Sequence, residues 1–121
     1  MQVSKDKIGK GIVKYIRTDM IPNVPDKSMQ MILDGAAMFI ERKPDILDPY
    51  IKSGVIAMAL GEKNGMYDLD GAEEILTNLM NKYGGFTITI PPIKFLMPEA
   101  KVMNFTADDI RKLKQYIGGA M

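Results

Sequence analysis

At 121 residues, with 46% hydrophobic and 26% charged side chains, the chain has the length of one domain and an ordinary globular balance, which excludes a disordered or low-complexity polymer. It contains no cysteine and no histidine, which removes disulfides, thiolate nucleophiles, Cys/His zinc sites, Ser-His triads and imidazole acid–base chemistry. A net charge of +1 is far from the strongly basic balance usual in nucleic-acid binders.

The opening residues 1–10 lack the apolar stretch of a secretory signal. The longest nearly uncharged run, 53–61, is far short of the roughly 18–20 residues of a membrane span. A cytoplasmic protein without membrane association, folded as a single globular domain over 1–121, is the expectation.

In chain order, the first predicted helix covers about 5–19, with Ser4 as N-cap and Val3 and Ile8 at the positions of a hydrophobic staple. Ile8, Ile12 and Ile16 recur every four residues and, with Val13 and Tyr15 beside them, form its apolar stripe. Gly9 and Gly11 each weaken it by roughly 1 kcal/mol relative to alanine, so it depends on packing. Pro22 and Pro25 end it. The second helix starts near Asp26 or Ser28 and runs to about Arg42, with the small pair Ala36-Ala37 beside Gly35 suited to close helix approach. Pro44 stops it, and a short turn at 45–47 leads to Asp48-Pro49, an N-cap followed by proline at the first helical position. The third helix is expected over 49–61, with Tyr50, Ile51, Val55, Met58 and Ala59 inward.

Residues 62–68 read as a loop. Asp70 and Glu73 have capping-box spacing for a fourth helix over 71–83, with Ala72, Ile75, Leu76, Leu79, Met80 and Tyr83 inward and Gly84 as its left-handed stop. The pattern then alternates as in a strand at Phe86-Thr-Ile-Thr-Ile90, until Pro91-Pro92 removes two backbone donors. Ile93-Lys-Phe-Leu-Met97 and Lys101-Val-Met-Asn-Phe105 flank a turn at 98–100 and have the composition of a small hairpin. The last helix, about 107–117, takes Thr106 as cap and Asp109 three residues on. The fold class expected is therefore mainly α with a small β element (α+β): about five short helices, and a β-hairpin or short antiparallel sheet at roughly 86–105 before the C-terminal helix.

No motif supplies a catalytic constellation. Asp68-Leu-Asp70-Gly71 resembles the middle of a calcium loop, yet with Gly71 at position 6 the first and last ligand positions fall on Met66 and Thr77. Gly9-Lys-Gly11 is too short for a phosphate cradle and has no strand before it. Glu73-Glu74 and Asp108-Asp109 are adjacent on helices, point about 100° apart and suit the first turns of dipoles rather than acid–base pairs. No catalytic, cofactor or metal residue is assigned, and no cofactor is expected.

Two surfaces remain as candidates. Lys7, Lys10, Lys14 and Arg17 give the first helix a basic face. Phe86, Ile88, Ile90, Pro91, Pro92, Ile93, Phe95 and Met97 form an apolar β segment with unpartnered edges. Charge is also segregated. In 1–20, Lys5, Lys7, Lys10, Lys14 and Arg17 against Asp6 and Asp19 leave +3, residues 94–121 carry +2, and the middle is acidic. That pattern fits intramolecular pairing, head-to-tail association, or no role beyond solvation. Eleven methionines suit both cores and adaptable binding surfaces. The leading expectation is a small non-catalytic protein–protein interaction or assembly module of bacterial or phage type, with a protein partner or self-association. A nucleic-acid-associated adaptor using the basic face is the alternative, and a small-molecule-binding protein or enzyme is the third.

Overall fold

The computed structural model describes residues 1–92 and 99–119; the side chains of Phe86, Ile88 and Ile90 are also outside the description. The chain is mainly helical with small antiparallel β elements. In order these are β1 (Gln2–Ser4), α1 (Lys5–Tyr15), α2 (Lys27–Arg42), α3 (Asp48–Ile51), α4 (Gly54–Leu60), β2 (Met66–Asp68), α5 (Leu69–Tyr83), β3 (Phe86–Ile90), β4 (Lys101–Phe105) and α6 (Ala107–Gly118).

Local chemistry accounts for most boundaries. Ser4 caps α1, its hydroxyl accepting from the Lys7 N–H at 3.3 Å. Asp26 caps α2 by accepting from the Ser28 and Met29 N–H groups. Thr106 and Asp109 form a reciprocal capping box on α6, and Gly84 ends α5 in the left-handed conformation. The cap of α5 is Asp68, whose carboxylate accepts from the Gly71 N–H at 3.2 Å, so the helix starts two residues before the Asp70–Glu73 spacing suggests.

Three features depart from the sequence pattern. The first helix changes character at Ile16. Residues Ile16–Met20 form a π-turn, with the Ile21 N–H reaching back to the Ile16 carbonyl, and a 3₁₀ turn carrying Pro22 follows at Ile21–Asn23. The third helix is two helices, because Gly54 adopts φ +66° and breaks the run after Ser53. That break resets the helical period. Ile51 and Ala59 stay buried, but Tyr50 is 67% and Met58 74% exposed and Val55 also faces out, against the inward positions expected of them. On α5, Ile75 and Tyr83 are likewise exposed, while Ala72 and Met80 are buried. Finally, β1 pairs antiparallel with β2 in the register Gln2–Asp68, Val3–Tyr67 and Ser4–Met66, within segments that read as terminus and loop.

The core joins Val3, Ile8, Val13 and Ile16 to Met29, Leu33, Ala37 and Ile40 of α2, Leu47 and Ile51, Ala59 and Leu60, Tyr67, Leu69, Ala72, and Ile117 of α6. Each large aliphatic side chain so buried contributes about 1.5–3 kcal/mol of transfer free energy. α6 crosses α1 at Gly11, where a Cβ would lie 2.7 Å from the Ile117 backbone nitrogen and closer still to its Cα.

β3 and β4 form a two-stranded antiparallel ribbon that pairs Phe86 with Phe105, Ile88 with Met103 and Ile90 with Lys101. β4 thus takes 86–90 as its partner; the expected pairing with 93–97 falls outside the described residues. Met103 packs against the core, and Lys101 reaches Asp26 at the α2 cap at 3.2 Å, so the ribbon lies on the helical body by one face.

Candidate functional site

Two features qualify, and they share the strand β4. The first is the outward face of the ribbon. Thr87, Thr89, Val102 and Asn104 are exposed, Val102 at 59%, and Pro91 and Pro92 are exposed where β3 ends. Of the apolar segment singled out from sequence, Phe86, Ile88 and Ile90 occupy the register positions opposite Phe105, Met103 and Lys101. Ile93, Phe95 and Met97 lie outside the described residues. Among the described residues neither β3 nor β4 has a second neighbouring strand.

The second is a cleft of about 190 Å³ where the end of the first helix meets the ribbon and α6. Tyr15 closes α1, and the π-turn contributes Asp19 and Met20. A π-turn inserts one residue per turn and recurs at functional sites. Asn23 and Val24 follow, β4 contributes Met103, Asn104 and Phe105, and α6 contributes Asp109 and Lys112.

The two tyrosines meet edge to face, ring centres 5.8 Å apart. Each points its hydroxyl at a carboxylate. Tyr15 lies 3.5 Å from Asp109 Oδ1, and Tyr116 hydrogen-bonds Asp19. Burial, reinforced by the charges of Asp109 and Asp19, pushes the Tyr15 phenol up to about 12. The hydrogen bond to Asp19 raises Tyr116 above its ordinary value. Asp109 Oδ2 accepts from the backbone N–H of Thr106 at 2.8 Å and from its hydroxyl at 3.1 Å. Both Asp109 oxygens therefore have donors. Asp19 differs: its Oδ2 is closed to solvent and meets no hydrogen-bond donor among the described residues.

The cleft escaped the sequence reading because its walls come from opposite ends of the chain and because Tyr15 fitted an apolar stripe equally well. The nearest signal was the pair Asp19 and Asp109, each followed by an apolar residue, Met20 and Ile110.

The basic face is where the sequence placed it, with Lys7, Lys10, Lys14 and Arg17 exposed on one side of α1 and its extension. Arg17 is engaged by acids of α2, Glu41 at 2.7 Å and Asp34 at 3.9 Å. The other end-to-middle charges also pair within the molecule. Lys5 joins Asp45 and Asp48, Lys101 joins Asp26, and Lys114 joins Asp70 and Glu73. Of the two acids in the calcium-like segment 68–71, Asp68 caps α5, and Asp70 binds Lys114 and the Met1 amino group. Among the described residues no group of three or more acidic side chains converges as a metal site, and no helix is long and apolar enough to cross a membrane.

Compared with family models, curated proteins and solved structures, the chain matches none.

Proposed function

We propose that the chain is a non-catalytic protein-docking module whose contact surface is the outward face and open edges of the β3–β4 ribbon. The observation that carries this reading is the exposure of Val102, opposite Thr89, on a two-stranded ribbon with no further strand beside it among the described residues. Unpaired strand edges hold rows of backbone donors and acceptors, which a strand from another chain can satisfy. Segregated charge gives no added support for head-to-tail assembly, because the basic ends meet the acidic middle inside one molecule. A cytoplasmic setting accords with a chain free of cysteine.

A photo-reactive phenylalanine analogue at position 102 tests the surface in living cells, with position 78 on α5 as an exposed control. Covalent adducts to a second copy or to one other protein are expected from 102 and not from 78. If 102 gives no adduct, or both positions give the same ones, the ribbon is not the contact surface.

A further inference from the structure

We propose that Asn64 is a spontaneous modification site, deamidated to aspartate and isoaspartate with water as co-reactant, and that the folded turn around it holds the reaction shut. Of the chain's asparagines only Asn64 is followed by glycine. Asn23, Asn78, Asn81 and Asn104 precede Val24, Leu79, Lys82 and Phe105, whose side chains crowd the next backbone nitrogen. Asn64 is exposed, and among the described residues it is the one non-glycine at positive φ, +55°. Gly65 follows at φ +76°, and Lys63 and Met66 exchange N–H···O bonds of 2.9 and 3.0 Å. These are the marks of a two-residue type I′ hairpin, which asparagine followed by glycine favours.

In the reaction the Gly65 nitrogen attacks Asn64 Cγ. The new N–C bond replaces the Cγ–Nδ2 bond, and the proton shed by the Gly65 amide leaves with Nδ2 as ammonia. Water then opens the five-membered imide at either carbonyl, giving aspartate or isoaspartate. Ring closure needs the Gly65 nitrogen and the Asn64 Cβ on the same side of the Cα–C bond. At the type I′ ψ of about +30° the two stand nearly opposite, about 150° apart in torsion. The proton is held as well, because the Gly65 N–H donates to Glu62 Oε1 at 2.8 Å. A carboxylate in that place stabilises the N–H and opposes the amide anion that must form. Attack therefore requires the turn to open, which breaks this bond and the Lys63–Met66 pair. The product does not fit the turn it comes from. Isoaspartate adds a methylene to the main chain, so the paired bonds lose register, and either product adds a second negative charge to the turn beside Glu62. The same hairpin delivers Met66 opposite Ser4, the α1 cap, and the buried Tyr67 opposite the buried Val3. An opening of the turn is thus recorded as a lasting mark that loosens the β1–β2 pair.

The test is ageing of the full chain in mildly alkaline buffer, folded and in guanidinium chloride, with the peptide that contains residue 64 followed by mass spectrometry. The denatured chain is expected to convert Asn64 at least about tenfold faster than the folded one, with Asn78 slow in both. Glu62→Ala is expected to speed the folded chain at least about threefold and to leave the denatured rate unchanged. Glu62→Gln keeps a neutral acceptor and is expected to fall between the two. Thr106→Ala lowers stability without touching the turn and is expected to leave the folded rate as it is. Equal rates in the folded and denatured chain, or a denatured chain that spares Asn64, overturn the proposal. A folded Glu62→Ala chain no faster than its parent, or a Thr106→Ala chain accelerated as much as Glu62→Ala, overturns the role given to Glu62.

Discussion

Gly9 and Gly11 share a helix turn and have opposite roles. At Gly11 the absent side chain is what lets α1 and α6 cross, since a Cβ would press into the Ile117 backbone. At Gly9 a Cβ would make ordinary contacts, 3.6 Å to Ile40 and 3.8 Å to Pro44. Gly9→Ala therefore stabilises by about 1 kcal/mol through helix propensity. Gly11→Ala destabilises by about 2 kcal/mol or more, because the clash is with main chain that cannot rotate away. Urea unfolding midpoints of the two variants should move in opposite directions. Sequence showed only that both glycines weaken the helix; the crossing partner is more than a hundred residues away in the chain and left no local mark.

For the elements, the capping box is the sharpest handle. Thr106→Ala removes one side of the reciprocal Thr106–Asp109 arrangement and is expected to cost about 1 kcal/mol in urea unfolding. α6 also carries Asp109 and Lys112, so amide exchange in its first turn should quicken with little change in α2. Caps of this kind were legible in the sequence because their chemistry is contained within four residues. Ser4, Gly84 and Thr106 act where composition placed them, and of the two starts read for the second helix Asp26 is the cap. The break at Gly54 was not legible, because the flanking residues keep helical spacing on either side and only the positive φ separates α3 from α4. The β1–β2 pair was hidden because three residues are too few to show alternation. The π-turn was hidden because its spacing is read as a helix until the hydrogen bonds are seen. The cleft depends on that turn, and on residues that meet only after α6 has packed, so no window of sequence contained it.

For the whole molecule, charge segregation resolves into ties between the ends of the chain and its middle. Asp70 is the clearest of them: the Lys114 ammonium and the Met1 amino group hold its carboxyl down to about 2, against an ordinary 3.8. Lys101 lowers Asp26, and Lys5 lowers Asp45. A depressed folded-state value means that the unfolded chain takes up protons first. The stability from the Asp70 pair is complete above about pH 4 and is lost as pH falls through about 2, and the Asp26 and Asp45 pairs are lost in the same direction. Urea midpoints measured across that window should fall with acid, and Lys114→Gln should flatten the slope. An unchanged slope in that variant would mean that Asp70 draws its depression from elsewhere. On the alkaline side Lys5 and Lys114 are raised, so their contribution persists up to their ordinary 10.5 and declines as pH climbs beyond it.

The crossing of α1 and α6 also bears on how the protein is made. The side of α1 that carries Gly11 packs on α6 at Ile117, whereas the side that carries Gly9 lies against Ile40 and Leu47. During synthesis the Gly11 side therefore stays uncovered by α6 until Ile117 has left the ribosome. Premature termination ahead of α6 yields a product with bare hydrocarbon on show, a natural client for chaperones and proteases.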